Sequence, residues 1–238
     1  MGKNLIQQAR GKGGLRYRAP SFNYHGKISL IKSRANPITG KITDLIKCPG
    51  HSVPLAEVKY ANGEVVLSPA PEGIKVGDEV KAGPAVEIST GNTVELGNIP
   101  EGTLIYNIES NPGDGGKFVR SSGTFARILA KTDKDVLIEL PSKKQKNFRA
   151  ECRACIGILA GSGRLEKPFM KAGAKHFAKK AKNKLYPIVS GVSMNAVDHP
   201  FGSGRGSHKG KPTTARRYAP AGANVGMLHP RRSGRKKR

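Results

Sequence analysis

Two short Cys/His pairs are the residues of this chain best suited to metal chemistry. Cys48 and His51 are separated by two residues, and so are Cys152 and Cys155. Thiolates and imidazoles are the usual ligands of structural zinc, so these four side chains would complete one tetrahedral site if the fold brought them together. Such a zinc ion would join two distant segments of the chain. The alternative is that Cys152 and Cys155 are small residues of a strand and that Cys48 and His51 form an ordinary turn.

The segment MNAVDHPFGSGRGSHKGKP, residues 194–212, contains the residue types of a hydrolytic triad. Asp198 and His199 are adjacent, and Ser203 follows four residues later. Neighbouring side chains of an extended loop point in different directions, and no Gly-x-Ser-x-Gly turn follows a strand here. No pair of carboxylates stands out for acid/base catalysis either. We therefore predict that the chain has no catalytic residue of its own.

Two Gly-rich stretches resemble phosphate-binding loops but lack the required spacing. PGDGGKF, residues 112–118, is preceded by Asn111 at the position where a Walker loop needs glycine, and it has Phe118 where such a loop needs Ser or Thr. GSGRLE, residues 161–166, lacks the third glycine of a dinucleotide-binding loop and follows no βαβ pattern. We interpret both as turns whose glycines allow positive φ or a close approach to a nucleic-acid backbone.

The charge balance of the whole chain indicates a polyanionic partner. The 238 residues include 42 Lys/Arg and 17 Asp/Glu, which gives a formal net charge of +25. Hydrophobic residues make up 37% of the chain and aromatic residues 5%, with no Trp. This composition supplies one or two small cores rather than a single large one. A soluble metabolic enzyme fits it poorly.

Other classes of protein are disfavoured by what the sequence lacks. No run of about 18 apolar residues is present, so no membrane span is predicted. The first residues lack an apolar segment long enough for a secretory signal. Three cysteines, an odd number, argue against a disulfide framework and for a reducing compartment. We therefore expect a protein of the cell interior.

The positive charge is concentrated in the two flanks. Residues 1–36 carry 8 Lys/Arg and no acid, residues 37–141 carry 10 Lys/Arg and 14 Asp/Glu, and residues 142–238 carry 24 Lys/Arg and 3 acids. Charge of one sign at this density requires an external anion. Rings that can stack on bases are interleaved with the cations, namely Tyr17, Phe22, Tyr24, Tyr218 and His229. Neither flank has the apolar face of a membrane-surface helix, so the flanks predict RNA binding, with solvated tails as the alternative.

Short strands separated by Gly/Pro turns predict a mostly β fold. Strands are expected at 41–48, on both sides of Asn62-Gly63 within 53–73, and at 73–83, 92–96 and 102–110. Asn-Gly between alternating hydrophobic residues is a strong hairpin signal. About five strands over some 70 residues are more typical of an oligonucleotide-binding barrel than of a sandwich.

The second half of the chain predicts a second small barrel, one helix and an extended end. Strands are expected at 124–130, 136–140, 146–150 and 154–160. Residues 169–184 are good helix formers whose lysines leave no apolar face, so this helix would lie on phosphate. From residue 186 onward, frequent Gly and Pro and the absence of periodicity predict a segment that is ordered only by its partner.

Five motifs in sequence order connect this chain to a known family. They are RGKGG with RAPSF near the start, APEGIKVGDEV, GNTVELGNIPEGTLIYNIESNPGDGGKFVRSSGT, ACIGILAGSGRLEKPFMKAGAKHF, and GVSMNAVDHPFGSG near the end. The sequence resembles, over nearly its whole length, the family of the second protein of the large ribosomal subunit in its archaeal form. One departure is Ser190, which stands where the family signature usually has Arg.

The resemblance implies both a fold and a function. The fold would be mostly β, with an oligonucleotide-binding barrel, then an SH3-like barrel, one short helix, and basic ends threaded into rRNA. The function would be that of a structural, non-enzymatic constituent of the large subunit and primary rRNA binder, supporting subunit association, tRNA binding and organisation of the peptidyl-transferase centre. Implied partners are large-subunit rRNA, small-subunit rRNA at a bridge, and neighbouring ribosomal proteins of the cytoplasmic ribosome. In the family, the histidine of the DHP motif, here His199, has been proposed to matter for peptide-bond formation, a role that is disputed.

The charge distribution and the family resemblance together predict the segments of the chain and the residues that bind rRNA. The predicted segments are a basic extension (1–36), an oligonucleotide-binding-type barrel (37–98), an SH3-like barrel with a basic helix (99–185) and an rRNA-binding extension (186–238). The residues expected on rRNA are Arg10, Lys12, Arg16, Arg18, Lys117, Arg120, Arg164, Lys167, Lys171, Lys175, Asn195, His199, Arg205, Lys209, Arg216, Arg217, Arg231 and Arg232.

Two other classes of function stay open on the sequence. A nucleic-acid-processing or zinc-dependent enzyme would need a pocket with converging ionisable groups. A sequence-nonspecific DNA-compacting protein would bind duplex DNA and RNA alike, with a steep dependence on salt.

Overall fold

The computed structural model describes residues 6–32, 36–84 and 86–228, and Arg231 and Arg232 lie outside these ranges. The chain divides into two compact units. The first, which we call the basic unit, combines residues 1–20 with 171–238, and the second, which we call the β unit, comprises residues 21–170. The two predicted flanks therefore contribute mainly to one unit.

In the described part of the β unit, ten strands form one hydrogen-bonded sheet. The strands are β1 Ile38–Ile46, β2 Leu55–Tyr60, β3 Val65–Pro69, β4 Glu79–Ala82, β5 Thr93–Glu95, β6 Leu104–Tyr106, β7 Ala126–Lys131, β8 Asp135–Glu139, β9 Gln145–Arg149 and β10 Arg153–Ile156. Their order in the sheet is β3-β2-β1-β4-β5-β10-β6-β7-β8-β9. The chain is thus mostly β, as predicted, and its strands agree with an oligonucleotide-binding part followed by an SH3-like part.

The first half of the sheet is built around the predicted hairpin. Strands β2 and β3 pair antiparallel, and Gly63 has a φ of +85°, which a glycine adopts without the steric cost of a Cβ atom. The Asn62 side chain accepts a hydrogen bond from the Glu64 N–H at 3.1 Å, which closes the turn. Alternate residues of β1, β2 and β4 point inward, where Ile42, Val58 and Val80 form one apolar cluster.

The second half is an antiparallel meander from β6 to β9, completed by β10. The last strand leaves β9 and inserts between β5 and β6, pairing antiparallel with both. Ile105, Ile128, Ile138 and Phe148 pack into a second apolar cluster on this side of the sheet. All four residues of β10 are buried, so this strand lacks the alternation of a strand with one face in water.

The basic unit has little regular structure. It contains helix α1 at Ile6–Gly11, which the sequence did not predict, and helix α2 at Ala172–Lys180, which it did. No residue of α2 is buried. Single 3-10 turns occur at Leu15–Tyr17, Gly191–Ser193 and Ala221–Ala223. Within the described ranges the longest helix has nine residues, too short and too polar to cross a bilayer.

Candidate nucleic-acid interface

The basic unit carries almost all of the excess charge. Its sequence ranges contain 22 Lys/Arg and one acid, Asp198, whereas the β unit contains 20 Lys/Arg and 16 acids. The sequence predicted basic flanks, and the structure brings parts of both flanks into the same body. A unit with this balance has too few anions of its own, so its cations must be neutralised from outside.

The N-terminal arm presents its four predicted cations to solvent. Arg10, Lys12, Arg16 and Arg18 are all exposed. The side-chain amide of Asn183 donates a hydrogen bond to the backbone carbonyl of Tyr17, which ties the arm to the segment after α2. The sequence could not show this contact, because the two residues lie far apart along the chain.

Three lysines at helix α2, namely Lys171, Lys175 and Lys179, are spaced four residues apart and therefore lie on one side of the helix. Lys171 is exposed at its N-cap, and Lys175 is half-buried with its Nζ 5.0 Å from the ring centroid of Tyr186. This cation–π contact holds one lysine while the others stay available. Phe177 is 68% exposed, so the helix has no apolar face committed to a core.

Residues 194–217 form a folded loop region held by a very small core. Phe201 and Val225 are buried and pack with Val192. Met227 donates its N–H to the carbonyl of Thr213 at 2.8 Å, which joins the loop region to the segment that follows it. The predicted binding residues of this region that are exposed are Asn195, Arg205, Lys209, Arg216 and Arg217.

His199 is held in a defined orientation. Its Nδ1 accepts a hydrogen bond from the Phe201 N–H at 3.1 Å, so the proton of the neutral imidazole is on Nε2. A Cβ atom at position 191 would overlap the imidazole ring, which explains why glycine occupies Gly191. A catalytic triad needs an Nδ1–H that donates to a carboxylate, and here Nδ1 is an acceptor. The orientation of this ring therefore does not match a triad.

The Gly-rich loop of residues 112–117 is organised around its own carboxylate. Asp114 accepts hydrogen bonds from the N–H groups of Ser110, Asn111 and Gly116 at 3.0, 3.2 and 3.1 Å. Gly113, Gly115 and Gly116 all have positive φ, as expected for turns. Because these N–H groups point at Asp114, the loop does not form a phosphate cradle.

The predicted cations of the β unit have different environments. Lys117 is exposed and lies 3.9 Å from Asp114, while Lys167 is exposed. Arg164 is also exposed, and its Nε donates to the Ser122 hydroxyl at 2.7 Å. Arg120 is half-buried and donates to the carbonyl of Gly116 at 3.0 Å, and burial lowers the pKa of Arg120 from its ordinary value. Arg120 thus supports the loop, whereas the other three face solvent.

The four predicted zinc ligands do not come together. Cys48 and Cys155 are buried in one apolar cluster and Cys152 in another. Cys152 and Cys155 are three residues apart along an extended segment, and an odd spacing on a strand directs side chains to opposite faces. Among the residues that the structure describes, no three His, Cys, Asp or Glu side chains form a metal-binding group. The described residues thus give the predicted zinc site no geometric support, and the site stays a prediction.

A buried ion pair that the sequence did not single out organises the β unit. Glu109 accepts two hydrogen bonds from the Arg153 guanidinium, at 2.7 and 3.2 Å, and one from the Arg153 N–H at 3.0 Å. Arg153 also donates to the carbonyl of Ile31 at 2.5 Å. Both side chains are nearly inaccessible to solvent. Arg153 is therefore a structural cation rather than an RNA contact.

Fold and charge together define a class of protein. A mostly β unit of nearly balanced charge, linked to a unit whose charged side chains are almost all Lys and Arg, is typical of proteins that bind a polyanionic nucleic acid. Comparison with known proteins makes this class specific.

The chain is similar to one protein family over its full length. The family model described as Ribosomal Proteins L2, C-terminal domain, matches residues 89–220. The chain is 48% identical over 241 residues to the Large ribosomal subunit protein uL2 of Methanosphaera stadtmanae, which covers 100% of both chains. It is 48% identical over 234 residues to the protein of the same name from Archaeoglobus fulgidus, covering 98% of this chain and 99% of the relative. The chain belongs to the ribosomal protein L2 family, as its motifs predicted.

Proposed function

We propose that this chain is a structural constituent of the large ribosomal subunit that binds rRNA as a primary binder, in the ribosome of the cytoplasm. The observation that carries the proposal is the charge of the basic unit, 22 Lys/Arg against one acid. Membership of the L2 family and full-length similarity to proteins named Large ribosomal subunit protein uL2 support the same function. Phosphate groups supply the anions that this unit lacks.

The binding residues follow from exposure and from the scarcity of acids around them. We assign phosphate contacts to the exposed cations of the arm, of α2 and of the 194–217 loop region. These are Arg10, Lys12, Arg16, Arg18, Lys171, Arg205, Lys209, Arg216 and Arg217, with Lys117, Arg164 and Lys167 as additional contacts on the β unit. Arg231 and Arg232 extend the same charge pattern in the sequence.

The finer role is to support subunit association, tRNA binding and the organisation of the peptidyl-transferase centre. Small-subunit rRNA at a bridge and neighbouring ribosomal proteins would be its further partners. His199 would act indirectly, as a side chain that shapes the loop region, since it is held between Phe201 and Gly191. Its Nδ1 accepts a backbone N–H instead of donating to a carboxylate, which disfavours a role as the base of a chemical step.

Crosslinking in cell extract tests the proposal. We expect ultraviolet crosslinking of the full chain, followed by sequencing of the attached RNA, to concentrate reads on large-subunit rRNA. Duplex DNA should compete poorly with an rRNA fragment at about 0.3 M salt, because a folded site retains contacts beyond phosphate neutralisation. Reads scattered over many RNAs, with equal competition by duplex DNA, would instead assign the chain to the nonspecific nucleic-acid binders.

A further inference from the structure

A cavity in the basic unit combines apolar and cationic walls. It has a volume of about 410 Å³ and lies beside the end of α2. Its lining includes the apolar Leu185, Ile188 and Val189, the three cations Arg10, Lys179 and Lys184, and one acid, Asp198, so cations outnumber acids in it. The volume falls within the range of pockets that hold small organic groups. The sequence did not predict a binding role for Leu185, Ile188 or Val189, because the residues around them show no periodicity.

The local backbone explains why the cations lie together. Asn183 has a φ of +50°, a left-handed conformation that commonly ends helices. The reversal lets the Lys184 N–H donate to the Lys179 carbonyl at 2.8 Å, so the two lysines flank the helix end. The Asn183 side chain also binds the Tyr17 carbonyl, which anchors the arm that carries Arg10.

The apolar residues of the cavity are exposed, as are other apolar side chains of the basic unit such as Leu15 and Phe177, but these two do not line the cavity. Ile188 is 75% exposed and Val189 is 56% exposed. Adjacent exposed aliphatic side chains beside a cavity indicate a surface that a partner covers. The neighbouring cations require that this partner carry negative charge next to an apolar face.

We propose that this cavity binds a single unstacked nucleotide of the rRNA, with the base against Ile188 and Val189 and the phosphate beside Arg10, Lys179 and Lys184. This inference rests on the proposed function. A nucleotide joins a flat apolar base to a phosphate, which matches a cavity lined by both apolar and cationic side chains. His199 also lines the cavity, and its Nε2–H supplies a donor for a base or phosphate acceptor. The cavity thus recognises an extruded base, in contrast to the exposed cations, which contact only the backbone.

A matched pair of variants separates the apolar wall from charge. Val189 and Val197 are 56% and 54% exposed and lie in the same segment, but only Val189 lines the cavity. The full chain, bound to transcribed large-subunit rRNA, is titrated at several salt concentrations. We expect Ile188→Ala and Val189→Ala each to weaken binding about threefold to tenfold, since each removes methyl or methylene groups from a base contact. Val197→Ala should leave affinity unchanged.

Salt dependence distinguishes the two walls. Val189→Ala neutralises no phosphate, so the slope of log K against log salt should stay as in the unchanged chain. Lys184→Gln should reduce the magnitude of that slope by about one. Equal slopes for Lys184→Gln and the unchanged chain would overturn the phosphate contact.

Abasic substitution in the rRNA identifies the nucleotide. In a scan of footprinted positions, one abasic site should weaken binding of the unchanged chain about fivefold, yet weaken binding of Val189→Ala less than twofold, because base and side chain form one contact. If Val189→Ala binds as tightly as Val197→Ala, or if no abasic site shows this coupling, the inference is wrong although rRNA binding stands. If Val189→Ala weakens binding only when other ribosomal proteins are present, the apolar residues contact a protein, and the inference of a nucleotide site is wrong. Failure of the unchanged chain to prefer rRNA would overturn the proposed function itself.

Discussion

Single residues differ in whether their charge serves the fold or the partner. Arg153 is buried against Glu109, while Lys117 is exposed beside Asp114. Both are cations near a carboxylate, but only the first has lost its water. A buried ion whose partner is removed keeps the desolvation cost without the compensating interaction. The two sites therefore predict very different responses to substitution.

We predict that Glu109→Gln or Arg153→Met destabilises the chain by about 3–5 kcal/mol, because each leaves one buried charge unpaired. The double variant should lose less than the sum of the two single losses. Urea denaturation followed by circular dichroism measures these free energies of unfolding. Lys117→Ala is the control, with a change within about 0.5 kcal/mol. Equal small effects at both sites would mean that water reaches the Glu109 pair.

The thiol of Cys155 predicts a pH dependence. Burial raises the pKa of Cys155, although its hydrogen bond to Thr93 at 3.3 Å opposes the shift. An unfolded thiol ionises at about pH 8.5, while the folded thiol keeps its proton. The contribution of this thiol to the free energy of unfolding is therefore fully present below that pH, and it is lost as the pH rises toward the folded pKa. The free energy of unfolding should fall by up to about 1.4 kcal/mol per pH unit in that window.

Denaturation of the reduced chain between about pH 7.5 and 11 tests this dependence. Cys155→Ala should reduce the dependence of the free energy of unfolding on pH above about pH 8.5, whatever its effect on that free energy at neutral pH. Burial also raises the pKa of Tyr106, so Tyr106→Phe should flatten only the part above about pH 10. A slope that Cys155→Ala does not change would show that this thiol titrates alike in both states.

At the scale of elements, local patterns were predictable and distant pairings were not. The hairpin at Asn62-Gly63 and helix α2 follow from dipeptide and helix-forming residues, so the sequence predicted both. The insertion of β10 between β5 and β6 depends on the packing of strands far apart in sequence, which periodicity does not encode. For the same reason, the sequence did not single out Arg153, while the zinc site of Cys48, His51, Cys152 and Cys155 stays a prediction.

Two glycines predict opposite effects of the same substitution. Gly63 has a φ of +85° and open space where a Cβ atom would stand, so Gly63→Ala costs only backbone strain, about 1 kcal/mol or more. Gly173 lies in α2, again with open space, so Gly173→Ala should favour the helix by up to about 1 kcal/mol. Urea denaturation reports the first effect and far-ultraviolet circular dichroism the second. Helicity that falls with Gly173→Ala would contradict the helix assignment.

At the scale of the whole molecule, the uneven charge gives the two units different roles. The β unit has nearly enough acids to balance its own cations, and the basic unit does not. Candidate RNA contacts were predictable from composition, because a surplus of charge needs no fold to be recognised. The cavity beside α2 was not, since its walls come from both ends of the chain.

The same difference predicts where salt-dependent affinity resides. Replacing Arg16 and Arg18 by Ala should reduce the magnitude of the log K against log salt slope for rRNA by about one to two, because each phosphate contact contributes nearly one released counterion. The matched control replaces Lys75 and Lys134, two exposed cations of the β unit, and changes net charge equally. Filter binding at several salt concentrations measures both slopes. If the control flattens the slope as much as the arm variant does, net charge rather than the basic unit determines binding, and the arm does not contact phosphate. A smaller slope for the arm variant alone places the phosphate contacts on the basic unit.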